Sequence, residues 1–230
     1  MTLPPSNFKL NMAEPSHCTN PITVVGTQFG APHPVDLVIV WNVEYLGEQN
    51  FFLSDVNGNI VFKTKGIPFS FHDRHLLLNA NDRPLLSMRK KQMVSIYTKW
   101  QVFRGDDSHS KNLLFSVKKS SWNSNWVLDV FLAANIKEEV CDFKIKGSWA
   151  ERSCIIYIGD SDNIIAQMHK KHGDQGIDLG MGNFMVIVCA NVDYAFIAAL
   201  IMITASFSMR SLPTPVPMGG MAAVENFGTM

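Results

Sequence analysis

A mainly β domain of about a dozen strands, closed into a barrel around a hydrophobic C-terminal helix, is the fold that this sequence predicts. Three observations predict it. Through the body of the chain, short runs rich in Val, Ile, Phe, Tyr and Trp recur, each bounded by Gly, Asn, Asp, Ser or Pro, which is the rhythm of all-β chains. One later stretch, "NVDYAFIAALIMITASFSM" from Asn191 to Met209, is apolar on every side and must be enclosed. A barrel of about eight strands is filled by its own side chains, whereas a wider one leaves a hole, and a helix of about 10–12 Å diameter can fill it. Eleven-stranded cans with a central helix are known precedents.

Strands are expected to begin near residues 37, 50, 59, 74, 84, 97, 113, 126, 141, 153, 163 and 183. Turn chemistry separates many of them. In "SDVNGNIVF", Asn57-Gly58 is placed to supply the positive φ angles of a tight hairpin. "NANDRPLL" and "GDSDNII" offer Asn and Asp side chains that cap bends. In "CDFKIKG" the period of two puts Phe143 and Ile145 on a dry face and Lys144 and Lys146 on a wet one.

The apolar stretch answers the question of a membrane span by its length. Sixteen residues from Tyr194 to Met209 rise about 24 Å as a helix, while a bilayer core needs about 30 Å. Asp193 stands where an N-cap or first-turn acid is favoured, and Arg210 where a cation suits the end of the helix dipole. Ala195, Ala198, Ala199 and Ala205 leave room for strands to approach. A core helix is therefore expected, with no transmembrane segment.

Composition divides the chain into a disordered leader over residues 1–33, a barrel domain over 34–210 and a disordered Pro-rich tail over 211–230. The leader carries Pro4, Pro5, Pro15, Pro21 and Pro32 without a sustained apolar period, and the tail is "SLPTPVPMGGMAAVENFGTM". No secretory or organellar targeting pattern is visible at the start, so a cytoplasmic protein is expected. Cys18, Cys141, Cys154 and Cys189 lack metal-like spacing and read as reduced thiols, three of them buried. Twenty basic residues balance twenty acidic ones, so no overall field draws the chain to nucleic acid, and binding to an anionic partner would need a local patch.

"EEVCDFKIKGSWAERSCIIYIGDSDNIIAQMHKKHG", followed by "NVDYAFIAALIMI", resembles the signature of the plant LURP-one-related family, whose domain is similar to the tubby C-terminal domain. "KWQVFRGD", "DSHSKNLLFSVKKSS" and "LDVFLAAN" fit the same family in the same order, and the likeness covers residues 34–208. It implies a twelve-stranded antiparallel β-barrel enclosing a hydrophobic C-terminal helix, in agreement with the independent strand count. His169 stands where the family often has Arg, and the tail after Arg210 has no family role.

The sequence holds no G-x-x-x-x-G-K-[ST] phosphate loop, no G-x-S-x-G elbow and no H-E-x-x-H helix. His169 and His172 lie among lysines as a solvated strand end, without the carboxylate or thiol set of a metal site. "GMGNF" at 180–184 precedes a strand and reads as a turn. Cys154 shares parity with Ile156 and reads as core. Around it Gly147 permits a tight bend, Trp149 buries its ring and Arg152 pairs locally. No catalytic residue, metal ligand or cofactor is expected.

The remaining feature is local charge. Basic residues cluster as Arg89, Lys90 and Lys91, as Lys118 and Lys119, and as Lys170 and Lys171. The tubby domain binds phosphoinositide headgroups, and the related phospholipid scramblases act at membranes. That resemblance directs attention to Arg89, Lys91, Lys118 and Lys119 as lipid-headgroup candidates, selected by chemistry because an Arg with one or two Lys residues suits a phosphorylated inositol ring. The expected function is a non-enzymatic, phosphoinositide-responsive regulator tethered at a membrane in plant defence or stress, peripheral at the plasma membrane or nuclear. The alternative is a protein-interaction scaffold with no lipid ligand.

Overall fold

The structure is a computed structural model and describes residues 20–43, 49–67, 74–92, 98–106, 109–120, 127–148, 153–170 and 183–209. Runs of β-branched and aromatic residues form strands β1 (Val35–Val43), β2 (Gln49–Ser54), β3 (Ile60–Ile67), β4 (Arg74–Asn79), β5 (Pro84–Gln92) and β6 (Thr98–Arg104). They continue as β7 (Leu113–Lys119), β8 (Val127–Leu132), β9 (Phe143–Ser148), β10 (Ser153–Ile158), β11 (Ile164–Lys170) and β12 (Asn183–Val188), followed by helix α1 (Tyr194–Met209). Each strand pairs with its neighbour in sequence, and β12 closes on β1 in an antiparallel ladder from Val35↔Val188 to Val40↔Asn183. Closure leaves the barrel without a free edge.

Period-two alternation sorts the side chains. Phe115 and Val117 on β7, Leu128 and Val130 on β8, Phe143 and Ile145 on β9, and Cys154 and Ile156 on β10 are all buried. Lys144 and Lys146 take the opposite face, as the sequence pattern requires. The inward side chains meet α1, whose residues from Ala195 to Ala205 are all buried. Phe196 stands edge-on to Phe115 and tilted to Phe143, with ring centroids 5.0 Å apart in each pair. Two helix hydroxyls bond back to the preceding turn: Thr204 Oγ1 donates to the Leu200 carbonyl at 2.9 Å and Ser206 Oγ to that of Met202 at 3.0 Å. Each large apolar side chain buried this way contributes about 1.5–3 kcal/mol.

One end of the barrel is closed by a segment expected to be disordered. Composition predicts a disordered leader through residue 33, but residues 22–30 dock beside the start of α1. Ile22 bridges in parallel to Val192 and Gly30 antiparallel to Asp193, with a 3₁₀ turn over Thr27–Phe29 between them. Phe29 packs against Phe62 and Tyr194, with centroids at 5.9 and 5.6 Å. The fully buried Asp193 explains the docking. Its Oδ1 caps α1 by accepting the N–H groups of Ala195 and Phe196 at 3.1 and 3.0 Å. Its Oδ2 accepts those of Val24, Val25 and Gly26 at 3.1, 2.7 and 3.0 Å. Arg104 adds a hydrogen bond from Nη1 to the Val25 carbonyl at 2.5 Å. Composition misread this segment because it is held through backbone donors, which carry no residue signature. The expected tails at 1–19 and 211–230, and the C-terminal Arg210, lie outside the described residues.

In the β2–β3 turn Gly58 has φ +85°, but Asn57 does not share the positive φ. The turn is instead organised by Asp55, whose Oδ1 accepts the N–H groups of Asn57 and Asn59 at 2.9 and 2.8 Å. Gly147, by contrast, needs to be glycine. Its φ is +119°, and a Cβ there would lie 2.4 Å from the Ser153 carbonyl oxygen and 2.7 Å from Cys154 Cα. Trp149 and Arg152 lie outside the described residues.

Candidate anion-binding face

β5, β6 and β7 present their outward positions side by side, and the register lines up their cations. Lys91 lies opposite Lys99, Lys99 opposite Lys118, and Lys118 opposite Asp129 on β8. Neighbouring strands are about 4.8 Å apart, so three lysines occupy about 10 Å of outer surface. Arg89 lies two residues before Lys91 on the same face of β5, opposite Gln101 and, on the other side, Arg74. Arg74 Nε donates to Ser87 Oγ at 3.0 Å, and its guanidinium reaches the Asp106 carbonyl.

The structure brings together three of the four candidates chosen from sequence. Arg89, Lys91 and Lys118 share the outer face. Lys119 does not: it pairs with Leu128, a lumen residue, so its parity is inward and it is exposed only because the strand ends there. Lys90 also leaves the expected cluster. It shares parity with Leu86 and Met88, lies opposite Trp100 and is 5% exposed.

Sequence reading missed Lys99, Ser116 and Glu138. The β8–β9 connection folds back onto the outer face, pinned by Asn135, whose Nδ2 donates to the Val140 carbonyl at 2.8 Å and to Asp142 Oδ2 at 2.9 Å. The Glu138 N–H reaches Asn135 Oδ1 at 3.2 Å, and Glu138 itself adopts φ +50°. Its carboxylate then meets the lysine row. Oε1 accepts from Lys99 Nζ at 2.5 Å and from Ser116 Oγ at 3.0 Å, while Oε2 lies 3.4 Å from Lys118 Nζ. Lys118 Nζ also sits 4.4 Å from the centroid of the Phe131 ring. Burial pushes the Glu138 carboxyl up, but the hydrogen bonds from Lys99 and Ser116 and the two lysine charges outweigh it, and its pKa is lowered. The parity of Lys99 could have been read from "TKWQVF". The approach of Glu138 could not, because it depends on the path of the loop.

Elsewhere Lys144 lies between the Asp129 carboxylate, at 3.6 Å, and that of Asp160. Hydrogen bonding to Asp160 raises its pKa against the opposing effect of burial. Cys141, Cys154 and Cys189 are buried free thiols. Burial pushes the Cys154 thiol up to about 12, in keeping with a packing role rather than a nucleophile. Among the described residues no group of His, Cys, Asp and Glu is arranged to hold a metal ion. His169 lies on β11 opposite Met185, and His172 lies outside the described residues. No helix among the described residues is long and apolar enough to cross a membrane.

Comparison with known proteins places this architecture. The LURP-one-related family model matches residues 35–205. Protein LURP-one-related 15 of Arabidopsis thaliana is 49% identical over 181 residues, 78% of this chain and 83% of that protein. Protein LURP1 of the same plant is 43% identical over 184 residues, 80% of this chain and 88% of its own length. A solved X-ray structure of an Arabidopsis thaliana protein superposes with a TM-score of 0.63 at 42% identity, covering 80% of this chain and 98% of that one. With the family model spanning all twelve strands and α1 as far as Ala205, this chain belongs to the LURP-one-related family.

Proposed function

We propose that this chain is a non-catalytic regulatory protein that docks on anionic membrane surfaces, with phosphoinositide headgroups as ligands, and acts in plant defence or stress responses. The observation that carries the reading is the in-register row Lys91, Lys99 and Lys118 with Arg89 beside it. Each cation brought close to an anionic surface contributes about 1 kcal/mol. Support for a non-catalytic role comes from α1, whose apolar side chains occupy the lumen where a ligand cavity would otherwise lie. The balanced total charge favours a local surface over nucleic acid as the anionic partner.

Sedimentation of the full chain with phosphatidylcholine vesicles, with and without phosphatidylinositol bisphosphate, tests the reading. Wild type should bind only the doped vesicles, and added salt should weaken binding by screening. Arg89→Glu with Lys91→Glu should abolish binding; Lys91 is exposed, so Lys91→Glu alone should weaken binding while the melting temperature stays nearly constant, because exposed strand positions seldom change stability by more than about 0.5 kcal/mol. Lys119→Glu should have a smaller effect, since that side chain leaves the row. Failure of wild type to bind doped vesicles at low salt overturns the reading. A protein-interaction scaffold then takes its place, a role favoured by Ile136 and Val140, 89% and 68% exposed on the β8–β9 connection.

A further inference from the structure

We infer that Lys99, Lys118 and Ser116 form a specific site for a phosphate monoester, and that the Glu138 carboxylate is an internal stand-in which an incoming phosphate displaces. The inference rests on the proposed anion-binding role and narrows it to one set of atoms. The three groups come from two adjacent strands: Lys99 on β6 lies opposite Lys118 on β7, and Ser116 is two residues before Lys118 on the same face. Two ammonium groups and a hydroxyl donor converge on one carboxylate, at 2.5, 3.4 and 3.0 Å. A phosphate monoester offers three acceptor oxygens and about two negative charges in place of two oxygens and one charge, so the same donors favour it.

The site is built rather than incidental. Ser116 is 3% exposed, which fixes its hydroxyl beneath the two flexible lysines. Lys118 is steadied over the Phe131 ring, itself buried. Glu138 arrives on a loop, not on a strand, and holds a left-handed φ of +50° that a glutamate rarely adopts. Its side chain can therefore leave without disturbing a ladder hydrogen bond of the barrel. The lysine side chains remain 16% and 33% exposed around it, so a ligand has access from solvent.

Glu138→Gln in the full chain removes the competing charge, and Glu139→Gln, at the exposed neighbouring position, changes the total charge equally without touching the site. The probes are phosphatidylcholine vesicles doped with phosphatidylinositol bisphosphate, and soluble inositol trisphosphate. Glu138→Gln should bind roughly three- to tenfold more tightly than wild type, the range set by a modest competing ion pair. Glu139→Gln should not gain, and adding Ser116→Ala to Glu138→Gln should remove most of the gain without changing charge. A gain with the vesicles identifies a lipid headgroup as the source. A gain with inositol trisphosphate alone upholds the phosphate site and overturns the membrane reading. If wild type binds doped vesicles but Glu138→Gln gains no more than Glu139→Gln, the site is wrong and the broader reading stands. If no form binds either probe, both fall.

Discussion

Asp193 Oδ2 accepts the backbone N–H of Val25 at 2.7 Å across a separation of 168 residues. The same carboxylate caps α1 through its other oxygen, so one buried side chain joins the start of the core helix to the segment that closes the barrel end. Asp193→Ala strands buried N–H groups on both sides. Loss of a cap costs about 0.5–2 kcal/mol, and each unsatisfied buried donor about 1–3 kcal/mol. Urea unfolding should show a loss of at least about 3 kcal/mol, and Asp193→Asn should recover only part of it because its amide turns donors toward donors.

Docking of residues 22–30 ties this segment to the start of α1. Removal of residues 1–33 should lower the melting temperature clearly. The deletion exposes surface covered by Val25 and Phe29, each worth about 1.5–3 kcal/mol. It also leaves Asp193 Oδ2 without its three donors. A fragment resistant to brief proteolysis should retain residues 22–30. A fragment beginning near residue 34 with an unchanged melting temperature would contradict the docking.

Phe196 sits at the centre of the core, edge-on to Phe115 and tilted to Phe143. Phe196→Ala should cost about 3–5 kcal/mol, since it removes the aromatic contacts and leaves a cavity that the closed barrel cannot collapse to fill. Ending the chain at Ala190 removes the whole core helix and should give an insoluble or unfolded product. A soluble truncated protein with a cooperative melt would show that the barrel stands without α1.

The lowered pKa of Glu138 makes its contribution depend on pH. A carboxyl with a folded pKa below its ordinary value of 4.5 stabilises the fold above that value, and the contribution is lost as pH falls through the lowered folded pKa. Wild type should therefore be slightly more stable than Glu138→Gln at neutral pH, and the difference should vanish in acid, below pH 4.5. Paired thermal melts across that range measure it. A difference that persists unchanged in acid would show that the Lys99 and Lys118 contacts are not ionic.

The twelve strand starts expected from sequence fall within two residues of those observed. They were legible because alternation and turn chemistry are local: Phe143 and Ile145 alternate with Lys144 and Lys146 whatever the rest of the chain does. The enclosed helix was equally legible, since a stretch apolar on all sides and too short for a bilayer has few places to go. Arg89 and Lys91 share a face because β5 runs through Gln92. The Arg89–Lys91 triplet, however, splits because Lys90 obeys the same alternation and turns inward. Only the closed barrel decided which cations meet across strands, because a shift of one residue in register would move the opposite parity, Lys119 included, into the row. Glu138 at Lys99 and Asp193 at Val25 join positions 39 and 168 residues apart. Such contacts leave no trace in composition or period, because they depend on where the finished barrel carries its loops.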